Sequence, residues 1–226
     1  MYIECENLNK KYKSEGAVLT AVDQVNLQVN KGEFVVILGH SGSGKTTLLS
    51  LIGGLTKPDG GTVRIDNIDN WQQADDELAV MRNKKIGFIF QFASLIPTLT
   101  VLENILLPLS FTSDPQGDRQ YALDLLERVG LSGRQDDLPG QLSGGQQRRV
   151  AIARSFINRP DIILADEPTG DLDEETEKEI LAIFKDFNKQ GITFLVVSHN
   201  KDLALSQDRP RMLTMKNGSL AETSSP

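Results

Sequence analysis

Residues 34–46 read FVVILGHSGSGKT, and no other stretch restricts the fold as strongly. The unbroken apolar run reads as a strand buried on both faces, and such strands belong to parallel sheets covered by helices on both sides. The run ends at a glycine, and KTTLLSLIGGL (45–55) then shows helical spacing. Strand, glycine-rich loop and helix in that order match G-x-x-x-x-G-K-[ST] in the context that pattern requires. Gly39, Gly42 and Gly44 let the backbone turn tightly and aim N–H groups at phosphate oxygens, and the helix beginning near Lys45 adds its positive end. Lys45 is expected to reach the β- and γ-phosphates of a nucleoside triphosphate, and the Thr46 hydroxyl to ligate Mg²⁺. His40, Ser41, Ser43 and Thr47 complete the candidate nucleotide-binding set, and no catalytic role is given to His40.

A Mg²⁺-bound triphosphate calls for a carboxylate from a neighbouring strand. IILADE (162–167) supplies one: Asp166 stands at the C-terminal end of a second buried strand, where ligands of open α/β sheets bind. Neighbouring residues of an extended strand point to opposite sides, so Asp166 and Glu167 are expected to differ in role. With Asp166 on the metal, Glu167 is free to polarise an attacking water, a contribution of about 10²–10⁴-fold in rate.

The rest of the chain alternates in the same way. MYIECENL, VDQVNLQV (22–29) and GGTVRIDN (60–67) read as strands, with an antiparallel layer expected at one edge. DDELAVMRNK (75–84) reads as a short helix and KIGFIFQ (85–91) as a strand. From 98 to 158 TVLENILLPLSF, RQYALDLLERVG and QQRRVAIARSFIN all read as helices. A strand (161–168), a helix (174–191) and strands at 193–199 and 212–218 follow. The expected fold class is therefore α/β: a phosphate-loop core with a mainly parallel sheet, an N-terminal antiparallel β layer and an inserted α-helical subdomain. The core spans 1–91 and 161–226, and the inserted lobe spans 92–160.

Composition excludes several alternatives. An apolar content of 39% supports an ordinary core and argues against disorder. The net charge of −7 gives no global basic field for nucleic acid or anionic lipid. A single cysteine, Cys5, forms no internal disulfide and fits a reducing compartment. The charged N-terminus is expected not to be a secretory leader, and no stretch of about 18 apolar residues stands out as a membrane span.

Residues 142–146, LSGGQ, raise a separate question, since one phosphate loop is enough to hold a nucleotide. Ser143 can cap the helix that follows. Its hydroxyl and the N–H groups of Gly144 and Gly145 can equally face an anion at the helix's positive end. The residues alone leave both readings open.

LSGGQ between GHSGSGKT and ILADEP resembles the ATP-binding-cassette (ABC) family, whose hallmark it is, and the resemblance runs from Tyr12 to about Gly218. It implies ATP with Mg²⁺ as cofactors. It also implies a head-to-tail dimer in which Ser143, Gly144, Gly145 and Gln146 of one copy cap the γ-phosphate held by Lys45 of the other. By the same resemblance Tyr12 stacks on adenine, Gln91 senses the metal and the attacking water, Asp173 of GDLD (170–173) reaches across the dimer, and His199 contacts the γ-phosphate. An N-cap role for Asp173 is compatible with this. Two departures stand out: SHN (198–200) where related cassettes often have THD, and Pro210 within DRPRM (208–212) where many have an apolar strand residue.

QFASLIPTLTVLENILLPL (91–109), with ADEPTGDLD and a short C-terminus, looks like the lipoprotein-release, macrolide-export and cell-division subgroup (LolD, MacB and FtsE). That resemblance implies an ATPase subunit that couples dimerisation to a separate integral membrane permease, for export or extraction, on the cytoplasmic face of the membrane. A membrane-fusion adaptor is a further partner it allows. Leu95, Ile96, Leu99 and Leu102 are either lobe core or surface offered to a coupling helix. A soluble ABC ATPase acting on nucleic acid or ribosomes is the alternative class, and it fits neither the negative charge nor the single cassette without a coiled-coil insertion. A scaffold that uses ATP only to dimerise does not fit a chain that keeps both Glu167 and His199.

Overall fold

The computed structural model describes residues 1–14, 16–112, 115, 117–170, 172–200, 203, 207, 208 and 210–222. Asp171 of GDLD and Arg209 of DRPRM lie outside this set. Two sheets organise the chain. The first has four antiparallel strands in the order β2-β1-β4-β5: β1 (Ile3–Ser14), β2 (Ala17–Val29), β4 (Gly60–Ile65) and β5 (Ile68–Asp69). The second has six strands in the order β10-β9-β3-β8-β7-β6. In it β3 (Phe34–Leu38), β8 (Thr193–Ser198), β7 (Ile162–Asp166), β6 (Ile86–Ile89) and β9 (Arg211–Lys216) run parallel, and β10 (Ser219–Glu222) returns antiparallel beside β9. The antiparallel layer is thus a sheet of its own, not an edge of the parallel one.

The helices are α1 (Lys45–Ile52), α2 (Asp75–Lys85), α3 (Val101–Leu106), α4 (Arg119–Arg128), α5 (Gly144–Phe156) and α6 (Glu174–Lys189). Side chains set their starts. Thr100 and Glu103 form a capping box on α3, Ser143 and Gln146 form one on α5, Asp118 caps α4, and Asp173 caps α6. Helix α3 is shorter than TVLENILLPLSF suggests: it gives way to a 3-10 turn at Leu107–Phe111. Pro108 has no N–H to donate, and its ring crowds the preceding turn. Pro210 sits one residue ahead of β9, a position that asks for no ladder hydrogen bond.

The central strands β3, β7 and β8 are buried along their whole length. Successive residues therefore feed two separate cores. One core joins Phe34, Val36, Ile163, Phe194 and Val196 to α3, α4, α5 and α6. The other joins Val35, Ile37, Ile162, Leu164 and Leu195 to α1, α2 and the antiparallel sheet. Among the described residues no helix is long and apolar enough to cross a membrane.

Candidate nucleotide site

Parallel strands must all end on the same side of the sheet, and here that side forms a cleft of about 900 Å³. Tyr12, His40 to Thr47, Gln91, Asp166, Glu167 and His199 all line it. Gly39 is not among the lining residues, but its carbonyl accepts a hydrogen bond from Lys45 Nζ at 2.6 Å. His40 O accepts a second from the same ammonium at 3.1 Å, so Lys45, only 7% exposed, is held inside the loop. Glycine is required on steric grounds at two points. Gly44 has φ +106, and a Cβ there would lie 2.0 Å from Ala21 O. A Cβ on Gly39 would lie 2.5 Å from Met215 O. With Gly44 as its N-cap, α1 has no side chain over its first N–H groups. Ser43 Oγ, buried in the same loop, makes no hydrogen bond among the described residues. A loop with free donors and a helix's positive end fits phosphate oxygens.

Asp166 is 9% exposed. Burial raises its carboxyl above the usual carboxylate range, and the Glu167 charge adds to this. A hydrogen bond from Thr46 is the largest opposing influence, followed by the Lys45 and Arg148 charges. Thr46, Asp166 and Gln91 together offer only oxygen donors that suit Mg²⁺. Among the described residues no cluster of three or more His, Cys, Asp or Glu side chains forms a metal cage. One carboxylate, a hydroxyl and substrate phosphates are how Mg²⁺ is commonly held, so the residues present fit that ion.

Glu167 does not continue the strand. Its φ is +46, left-handed and rare for a residue with a side chain. The turn, rather than strand alternation, separates it from Asp166. Its carboxylate accepts hydrogen bonds from Ser198 Oγ at 3.0 Å and His199 N at 3.4 Å, and His199 Nδ1 lies 3.0 Å from its other oxygen. Gln91 stands two residues beyond β6, exposed, where the sequence suggested a strand end. Tyr12 pairs across the hairpin with Leu19, and both line the cleft. Asn200 donates through Nδ2 to Glu177 at 3.3 Å, and Glu177 also accepts from the Thr169 hydroxyl at 2.8 Å. An aspartate at 200 would set two carboxylates against each other.

Ser143, Gly144, Gly145, Gln146 and Asp173 do not line this cleft. Ser143 Oγ accepts from Gln146 N at 3.3 Å, Ser143 N donates to Gln146 Oε1 at 3.0 Å, and Asp173 accepts from Thr176 N at 2.9 Å. That last bond holds the Asp173 carboxyl below its ordinary range. The cleft or near-cleft residues that escaped the sequence reading include Ser198, Thr169, Glu177 and Arg148. For Arg148 the signal was present, because it shares a helix face with Ala151, Ile152 and Ser155, all buried.

The ABC transporter family profile matches residues 22–170. The chain belongs to the ABC transporter family. It is an ATP-hydrolysing cassette of that family. It is 41% identical over 220 residues to the lipoprotein-releasing system ATP-binding protein LolD of Idiomarina loihiensis, covering 96% of each chain. It is 44% identical over 224 residues to the macrolide export ATP-binding/permease protein MacB of Rhodopirellula baltica, covering 97% of this chain but 32% of that protein. The cassette thus spans about a third of that MacB relative. A solved dimer of the cassette MJ0796, in a post-hydrolysis state with ADP and Pi, superposes with TM-score 0.90 at 42% identity, covering 99% of this chain and 100% of that one. MJ0796 itself is from Methanocaldococcus jannaschii.

Proposed function

We propose that two copies of this cassette close head to tail around two ATP molecules and move a separate membrane permease as they do so. The observation that carries this reading is a division of labour. The phosphate loop, Asp166, Glu167 and His199 share one cleft, while the anion-ready turn at Ser143 lies outside it. Ser143, Gly144, Gly145 and Gln146 then meet the γ-phosphate of the second copy, and Asp173 lies at the same seam. We take residues 92–160 as the lobe that moves against the core 1–91 and 161–226.

Within the cleft Lys45 and the loop N–H groups hold the β- and γ-phosphates, and Tyr12 stacks on the base. Thr46, Asp166 and Gln91 would hold Mg²⁺, which when bound neutralises charge on the phosphates. Glu167, fixed by Ser198 and His199, accepts a proton from the water whose oxygen attacks the γ-phosphorus, and ADP departs with the electrons of the broken P–O bond. His199 keeps contact with the γ-phosphate.

A second cleft of about 590 Å³ suits the permease. Phe88, Phe90, Leu107, Pro108 and Phe111 line it, and Phe90 and Phe111 are 45% and 68% exposed. Leu102 belongs to the core, so the surface offered lies at Phe90, Phe92, Ile96 and Phe111. An amphipathic helix laid in such a groove would read the state of Gln91 beside it. Likeness to a macrolide export protein and a lipoprotein-releasing system supports export or extraction, and with it a place on the cytoplasmic face of the membrane beside the permease and a membrane-fusion adaptor as a further component. Nucleic acid has no place in it.

Glu167→Gln tests the reading. The variant should form an ATP-dependent dimer by gel filtration and hydrolyse ATP at least about 10²-fold more slowly. A monomer at saturating ATP, or turnover at the wild-type rate, would refute the assignment of roles. Capture of nucleic acid in place of a membrane permease would refute the coupling.

A further inference from the structure

We propose that Arg148 is a positioning residue for hydrolysis, linking the helix that begins at LSGGQ to the glutamate and the Gln91 segment of its own cleft. The inference rests on the roles given above to Glu167 and Gln91. Arg148 is 4% exposed on the second turn of α5. Its guanidinium donates to backbone carbonyls of two neighbouring strand ends. Nε reaches Pro168 O at 3.0 Å and Nη2 reaches Asp166 O at 3.5 Å. Nη2 also bonds Glu167 O, and Nη1 bonds Phe90 O. One planar fork thereby gathers the left-handed turn that aims Glu167 and the residue immediately ahead of Gln91. β6 and β7 lie side by side, so the gap it bridges is the one between the two catalytic segments.

Backbone carbonyls in a turn with φ +46 at a non-glycine residue need an external hold, because the conformation is unfavourable by itself. Guanidinium offers five N–H groups in a fixed plane and can satisfy separate acceptors at once. A lysine ammonium offers three from one point and cannot span the same set. The hold also has a direction. Arg148 stands five residues beyond Ser143 on the same helix, about 7.5 Å along its axis. The end of α5 that meets the second copy's phosphate and the arginine that braces this copy's glutamate therefore move as one piece. Closure at one composite site is delivered to the catalytic turn of the other.

The test is Arg148→Lys in the full-length chain, with Arg148→Gln as a second variant that buries no unpaired charge. Circular dichroism establishes folding. A fluorescent ATP analogue reports binding, and phosphate release reports turnover. The expected result is a fall in kcat of about 10–100-fold, the range for lost charged hydrogen bonds, with KM and analogue affinity changed less than about 3-fold. In the Glu167→Gln background either substitution should leave the ATP-dependent dimer intact, because chemistry and not binding is affected. Turnover within about twofold of wild type overturns the proposal. So does loss of the dimer in the Glu167→Gln background, since Arg148 would then merely support the helix. If Glu167→Gln alone stays monomeric or keeps its activity, the underlying reading fails instead, and the two failures are told apart.

Discussion

Asn104→Ala offers a stability test whose size follows from the hydrogen bonds it removes. Asn104 is fully buried on α3 and fastens the loop that leads from Gln91 to that helix. Its Nδ2 donates to Ile96 O at 3.1 Å, Leu99 O at 3.0 Å and Thr100 O at 3.0 Å, and its Oδ1 accepts from Ile96 N at 2.8 Å. Two of the three carbonyls keep another donor after truncation. Thr100 O also accepts from Asn104 N at 2.9 Å, and Ile96 O from Leu99 N at 3.2 Å. Ile96 N and Leu99 O lose their partner. At about 1–3 kcal/mol for each such group, and with Ile96 partly reachable by water, the loss should be about 3 kcal/mol. For a chain of this size that is a fall in Tm of about 6–12 °C. Urea unfolding followed by circular dichroism reads the free energy, and a fluorescent ATP analogue reads the phosphate loop, which Asn104 does not touch. Affinity for the analogue should stay within about 2-fold. A loss below about 1 kcal/mol, or affinity falling in step with stability, would refute the account of Asn104 as a brace confined to residues 96–104.

Asp166→Asn should abolish turnover yet leave the melting temperature equal or higher. Burial raises the Asp166 carboxyl, so stability falls as the pH rises from the ordinary carboxylate range through the raised folded value, and the amide removes that charge; a clear drop in Tm would contradict this. Asn200→Asp should destabilise in a pH-dependent way, because the new carboxylate meets Glu177, which now accepts from Asn200 Nδ2 at 3.3 Å. Facing carboxylates raise each other's folded pKa, so the deficit should be present near about pH 8 and recover towards about pH 5. A melting curve shifted equally at both would remove the charge explanation.

The glycine loop was legible because each of its requirements falls within one stretch of chain. Strand, turn and helix follow one another from Phe34 to Ile52, and the left-handed angle at Gly44 admits little else. Asp166 and Glu167 were legible as a pair, but not the means by which they differ. Strand alternation suggested opposite directions, whereas a left-handed turn at Glu167 does the work, and its support comes from Arg148 and Ser198, both distant in sequence. Long-range polar contacts of that kind leave no period in the sequence. The end of α3 was misplaced for a local reason, since the apolar spacing of ENILLPLSF continues through Pro108 although the backbone cannot. The antiparallel layer was legible as strands but not as an independent sheet, because pairing of β1 with β4 is a choice made across the whole N-terminal segment.

The alternation along β3, β7 and β8 has a consequence for how such a cassette can be altered. Val36, Ile163 and Val196 face α3 to α6, while Val35, Leu164 and Leu195 face α1, α2 and the hairpin layer. Odd and even positions of one strand are thus two independent sets of choices. A designer, or natural drift, can regraft the half of the molecule packed on α3 to α6 onto an unchanged half packed on the hairpin layer, provided that substitutions keep to one parity.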